Sequence, residues 1–132
     1  MKHICGFSLI ELLIVIALIG ILTAIAAVSY STVQKKSRDS RRVSDMKAIQ
    51  NGYEQYYGDY NVYLDTCTNP GDNYFPSWPL VDPKNSGSYV YTSGTCNSTK
   101  YCWCAKLEAG TGNYGSSTCG AGTGFYCVKQ LQ

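Results

Sequence analysis

Residues 6–28 read GFSLIELLIVIALIGILTAIAAV, an apolar run interrupted by one carboxylate, Glu11. As a helix, the 22 residues from Phe7 to Val28 would span ~33 Å at ~1.5 Å per residue, enough to cross the ~30 Å hydrocarbon core of a bilayer. An ionised carboxylate at membrane depth costs roughly 2.5–3.5 kcal/mol on insertion scales, so Glu11 calls for a partner of opposite charge. A secretory signal peptide would have an apolar region of only ~7–15 residues and a small-residue cleavage site behind it. This run is longer and passes without a turn signal into a polar helical pattern. A plain membrane anchor has no use for the glutamate.

Met1–Gly6 followed by FSLIELLIVIALIGILTAIA resembles the N-terminus of type IV prepilins and of the pseudopilins of type II secretion. The resemblance covers about 22 residues and does not extend past Tyr60. It implies that a membrane peptidase cuts between Gly6 and Phe7, that Phe7 becomes the N-methylated terminus, and that Glu11 partners the terminal amine of a neighbouring subunit. It implies as partners copies of the same chain in a helical filament, the prepilin peptidase/methyltransferase and the pilus assembly machinery. It also implies a location in the cytoplasmic membrane before assembly, with the head outside, and in a surface pilus afterwards. A proline is common in that family where this chain has Val28, and the helix often loosens between it and the glycine matching Gly20. Without the proline, a nearly continuous helix is expected here, with at most local loosening around Gly20–Thr23.

The physics agrees with that implication. Cleavage before Phe7 would leave a positive amine and a negative Glu11 about one helical turn apart on each chain. Staggered neighbours could then pair amine with carboxylate, and two charges that are unfavourable in lipid would neutralise each other only in the assembly.

Seven cysteines are present, and removing Cys5 with the leader leaves Cys67, Cys96, Cys102, Cys104, Cys119 and Cys127. An even number in a short Gly/Tyr-rich region reads as a disulfide framework in an oxidising compartment; six cysteines allow 15 connectivities, all left open. A zinc site is disfavoured, because Cys102-Trp103-Cys104 is C-x-C and the single histidine, His3, lies in the leader. No metal or cofactor is expected. Residues 35–47 (KKSRDSRRVSDMK) hold six Lys/Arg and two Asp, net +4. The positive-inside tendency alone would place this side in the cytoplasm. A downstream disulfide-dense domain and the leader motif outweigh a charge bias, so the head is read as exported.

The expected fold is α+β. Residues 1–6 form the leader, 7–28 an apolar transmembrane or filament-core helix, 29–60 an amphipathic continuation, and 61–132 a head with a small antiparallel sheet, stapled by disulfides. Val43, Met46, Ile49 or Gln50, Tyr53, Tyr56 or Tyr57, and Tyr60 recur at steps of three and four, the stripe of an amphipathic helix. One helix from Phe7 to near Tyr60, 54 residues, would measure ~80 Å. Asp39–Arg42, Arg42–Asp45 and Arg41–Asp45 have the spacing of helix ion pairs, worth only ~0.2–0.5 kcal/mol each when exposed. A use between subunits or a solvated face is expected of them. Three strand-like runs follow: Ser88–Ser93, Lys100–Glu108 and Phe125–Leu131. In the second, Tyr101, Trp103, Ala105 and Leu107 alternate with Cys102, Cys104, Lys106 and Glu108, so the first set should face the helix stripe and the cysteines a loop or a neighbouring strand such as that of Cys127. Ala109–Gly124 holds six glycines and reads as a loop. A head of 72 residues has a thin core that disulfides would reinforce.

No catalytic constellation is visible, and an enzyme is not expected. Some pseudopilins bind calcium in a C-terminal loop, but Ala109–Gly124 contains no acid. Asn97-Ser98-Thr99 fits a glycosylation acceptor, a triplet that chance explains as readily. Lys84, Lys100, Lys106 and Lys129 balance Asp65, Asp72, Asp82 and Glu108, so the head shows no specific nucleic-acid site. The leading reading is a structural pilin of a type IV pilus, serving adhesion, motility or DNA uptake. The alternatives are a type II secretion pseudopilin and a minor tip pilin acting as an adhesive module. Tyr53, Tyr56, Tyr57 and Tyr60 could stack between subunits or carry charge, but packing of head on helix explains them more simply.

Overall fold

The computed structural model describes residues 6–113, 119 and 122–132, with the side chains of 27–29 left aside. The leader up to residue 5, and positions 114–118 and 120–121 of the expected glycine-rich loop, lie outside the described residues. Helix α1 runs Leu9–Tyr60, and three short strands follow: β1 Thr92–Ser93, β2 Cys102–Lys106 and β3 Phe125–Lys129. They form an antiparallel sheet in the order β1-β2-β3. The chain divides into two compact units, Met1–Gln34 and Lys35–Gln132.

In the first unit α1 begins two residues after Phe7. Ser8 occupies the N-cap position, and the Glu11 carboxylate reaches back to accept its backbone N–H at 2.9 Å. That is one half of a capping box, satisfying a donor the helix start leaves orphaned. The helix passes through Gly20 without interruption. Thr23 turns its hydroxyl inward to the carbonyls of Ile19 and Gly20 at 2.9 and 3.0 Å, and the helix is continuous there, in keeping with the nearly continuous course expected.

In the second unit the C-terminal half of α1 packs on one face of the sheet. Met46, Ile49 and Tyr53 are the helix contribution, and Tyr101, Trp103, Ala105 and Val128 the sheet's, joined by Tyr63 and Phe75. Each aliphatic side chain fully buried there contributes ~1.5–3 kcal/mol. The helix ends at Asn61, which takes a positive φ of 55° and donates its N–H to the Tyr57 carbonyl at 2.7 Å, the left-handed C-terminal cap that asparagine tolerates.

The second and third strand-like runs form strands over much of their length; the first does so only at its end. Of Ser88–Ser93 only Thr92 and Ser93 pair with β2. Upstream, Asn85 and Gly87 both take positive φ, and Tyr89 closes back on Ser86, so the chain there makes a turn rather than a strand.

Among the described residues the disulfides are Cys67–Cys96, Cys102–Cys119 and Cys104–Cys127. The last bridges directly opposed residues of β2 and β3. Cys127 directs its N–H and C=O away from β2, which makes this a narrow, non-hydrogen-bonded pair of the ladder, with Cα atoms 4.1 Å apart. Cys102 lies on the same face, two residues along, and reaches the glycine-rich loop at Cys119. By closing loops of 17 to 29 residues, each bridge stabilises by about 3–4 kcal/mol in the chain-entropy account.

Candidate functional site

The N-terminal segment is the first candidate. Along α1 from Leu9 to Ala26 every residue is exposed within the structure, and Phe7 is 84% exposed. The helix is long and apolar enough to cross a membrane. Uncovered apolar surface of this extent belongs in lipid or against other proteins. Glu11 is the single charge in it, and its carboxylate is turned toward the helix N-terminus, where the dipole favours a negative group. Ser8, whose N–H it holds, is the residue next to Phe7.

The second candidate is a charged seam in the head that the sequence reading missed. Arg42 is completely buried. Its guanidinium grips Asp82 through Nε at 2.6 Å and Nη2 at 2.8 Å, while Nη1 donates to Asp39 at 2.7 Å and to Glu108 at 2.8 Å. Arg38 makes a second two-pronged contact, with both Glu108 oxygens at 2.7 Å. Asp39 then accepts the backbone N–H groups of Glu108 and Ala109. Asp82 accepts those of Lys84 and Asn85. Helix, connecting loop and the end of β2 are thus tied at one point, with the buried charges paired and hydrogen-bonded.

The titration of these groups follows from their partners. Hydrogen bonds from Arg38, and then from Arg42, hold the Glu108 carboxyl down to about 2. Burial pushes Asp82 up, but the bonds from Arg42 and the Lys84 N–H outweigh it and leave it below the ordinary range. The bond to Asp82 raises Arg42 despite its burial. Sequence placed Asp39 and Arg42 on a solvated or intersubunit face; instead they continue the buried stripe. The signal was present, because Arg42 precedes Met46 by four residues and Ile49 by seven on the helix.

Further along α1, carboxylates receive tyrosine hydroxyls. Asp45 accepts from Tyr91 at 2.6 Å, Asp59 from Tyr74 at 2.7 Å, and Glu54 from Tyr101 at 2.8 Å and Tyr63 at 3.0 Å. Glu54 also takes the N–H of Leu131. The rings of Tyr53, Tyr101, Tyr63 and Tyr57 touch in series within one chain, at centroid distances of 4.5, 5.0 and 4.5 Å. Packing of head on helix accounts for Tyr53, Tyr56 and Tyr57; Tyr60 is exposed.

No catalytic geometry accompanies these contacts among the described residues. The sulfurs of Cys102, Cys104 and Cys119 lie within 4.8 Å of one another, but all three are consumed in disulfides, which leaves no thiolate to hold a metal. A cavity of about 280 Å³ lies between Ile49, Trp78, Leu80, Tyr91 and Trp103. Of the polar groups that line it, Asp82 and the Tyr91 hydroxyl are already engaged by Arg42 and Asp45, while the buried Trp103 Nε1–H has no acceptor among the described residues.

Comparison with known proteins bears on the first candidate. Residues 1–27 match the family described as "Prokaryotic N-terminal methylation motif". The "Type IV major pilin protein PilA" of Myxococcus xanthus is 36% identical over 66 residues, 50% of this chain and 30% of that protein. A "Probable minor fimbrial protein" of Dichelobacter nodosus is 30% identical over 97 residues, 74% of this chain and 55% of the relative. The "Type II secretion system core protein G" of Aeromonas hydrophila is 33% identical over 61 residues, 46% of this chain and 43% of its length. The chain therefore spans between about a third and just over half of these relatives. No solved structure matches.

Proposed function

The chain belongs to the type IV pilin family, in which pilins and pseudopilins share the methylated prepilin N-terminus, and from that premise we propose that it is a structural subunit of a type IV pilus. Residues 1–6 are its leader, removed between Gly6 and Phe7, and Phe7 is its N-methylated end. Before assembly the apolar part of α1 sits in the membrane with the head outside. In the filament that part packs against copies of itself, and Glu11 neutralises a neighbour's terminal amine.

One observation carries this reading: an exposed apolar stretch of α1 whose single charge, Glu11, sits in the first turn of the helix. A lone anchor would need the length but not the carboxylate. The disulfide-closed head suits a compartment outside the cytoplasm. A secretion pseudopilin is the second reading, favoured by the similarity to core protein G.

Microscopy of filaments sheared from cells, with mass spectrometry of their main band, tests it. The expected band is this chain beginning at methylated Phe7. Processed chain confined to the membrane, or present in traces beside another pilin, would transfer the assignment to a pseudopilin or minor subunit. Glu11→Ala chains entering filaments at normal yield and register would remove the role of Glu11 while leaving the rest intact.

A further inference from the structure

The head sorts its charges by direction. Arg38 and Arg42 point inward, where Asp39, Asp82 and Glu108 meet them. Asp45 and Glu54 are engaged by tyrosine hydroxyls. The exposed carboxylates of the head are then Asp59, Asp65 and Asp72, all within residues 59–72. Asp59 and Asp72 do take hydrogen bonds, from Tyr74 and Asn69, but these donors are neutral and leave the charge uncompensated.

The outward cations of α1 gather near its middle, where the second compact unit begins. Lys35, Lys36, Arg41 and Lys47 are exposed. Arg41 approaches Asp45 only to 4.0 Å and is 67% exposed. The net charge of residues 35–47 read from sequence thus becomes, in the fold, a basic outer face, because both aspartates of the segment turn inward. Arg41 and Asp59 are 18 residues apart, which is five turns of an α-helix, so they lie on one line of the helix surface about 27 Å apart.

We propose that the basic face of residues 35–47 on one copy docks against the acidic stretch 59–72 of another copy. The inference rests on the filament reading and names the head contact within it. Both patches belong to one chain, have opposite sign and lie apart, so copies running in the same direction, as the filament reading requires, match them head to tail; an antiparallel two-fold contact would pair the same patches but close on itself as a dimer. A contact between two different patches propagates into an open polymer when its rotation does not close. An anionic lipid surface would engage the basic face but leave the acidic stretch without a role. Exposed pairs of this kind act mainly on register and encounter, and salt screens them beyond about 8 Å at physiological strength.

The test uses the full chain in cells that assemble it. Arg41→Glu with Lys47→Glu should lower sheared filament yield at least tenfold. Adding Asp59→Lys and Asp72→Lys should restore it to within about twofold of the original. Near-UV circular dichroism and intact disulfides check that each head is folded. In parallel, wild-type filaments grown from mixed isotope-labelled subunits are treated with a zero-length amine–carboxyl cross-linker. Lys47 joined to Asp59, Asp65 or Asp72 across differently labelled copies supports the contact. Unchanged yield after reversal of the basic face, failure of the charge swap in a folded head, or absence of that cross-link overturns it. Filaments that form but ignore these charges defeat this inference alone. A chain found in no filament defeats the functional reading beneath it.

Discussion

The side-chain amide of Asn113 donates to the Cys127 carbonyl at 3.0 Å, and its oxygen accepts the Cys127 N–H at 2.8 Å. One asparagine thus supplies the outer neighbour that β3 otherwise lacks. The Asn113 N–H bonds the Phe125 carbonyl, and Gln50 covers that of Lys129, so the edge is closed along much of its length. Uncovered edges pair with other chains.

Asn113→Ala should therefore do two things at once. It removes two hydrogen bonds, which lowers stability by about 1–3 kcal/mol, and it opens the β3 edge to self-association. Urea denaturation of the purified chain checks the first effect, and size-exclusion chromatography in parallel checks the second.

Gly112 stands beside that asparagine at φ +73°, and a Cβ placed on it would overlap the backbone of Phe125. Gly112→Ala meets both a left-handed conformation costing about 1–3 kcal/mol and a contact with no flexible atom to yield. The expected result is a loss at the upper end of that range or beyond, together with faster amide exchange at Gly124, whose N–H bonds the Thr111 carbonyl.

Arg42→Met leaves Asp82, Asp39 and Glu108 buried around an apolar side chain, a loss of about 3–5 kcal/mol. Arg42→Lys should recover little, because one ammonium cannot reproduce the two-pronged grip on Asp82. Thermal denaturation of the three chains orders them; a lysine variant matching the parent would show that the seam needs only a positive charge.

The head should lose stability at both extremes of pH. Glu108 is held at about 2 against an ordinary 4.5, and Asp82 is also lowered. A carboxylate depressed on folding contributes stability above its unfolded value, and that contribution drains as pH falls from near 4.5 toward 2. Tyr91 and Tyr101 are raised, first by burial and then by bonds to Asp45 and Glu54. Their contribution is whole below pH 10 and drains above it. Urea midpoints measured across pH should show a plateau with both shoulders; Glu108→Gln should flatten the acid one.

Sequence made legible whatever depended on periodicity. Met46, Ile49 and Tyr53 repeat at helical steps, and Tyr101, Trp103 and Ala105 alternate, so helix stripe and sheet face could be matched before any coordinates. The even cysteine count announced disulfides but not their partners, because pairing Cys104 with Cys127 requires the β2–β3 register and only the folded ladder sets it. Arg42 was misplaced because charge on a helix ordinarily means solvent; its burial needs Asp82 and Glu108, 40 and 66 residues away. Ser88–Ser93 reads as a strand-like run, yet Asn85 and Gly87 bend the chain just before it.

None of the three disulfides includes a residue of α1; every one joins loop or strand to loop or strand between Cys67 and Cys127. Apart from the backbone that leaves the helix at Tyr60, a tensile load carried along the helix therefore reaches the head through non-covalent contacts: the Arg42 seam, the tyrosine–carboxylate bonds and the apolar core. Under such a load the helix would shear from the sheet before any covalent closure was strained. Most of the chain beyond Cys67 would stay knotted within its bridged loops. Extension before arrest would come mainly from the helix and the short segment up to Cys67, which makes the helix–head seam the mechanical fuse of the subunit.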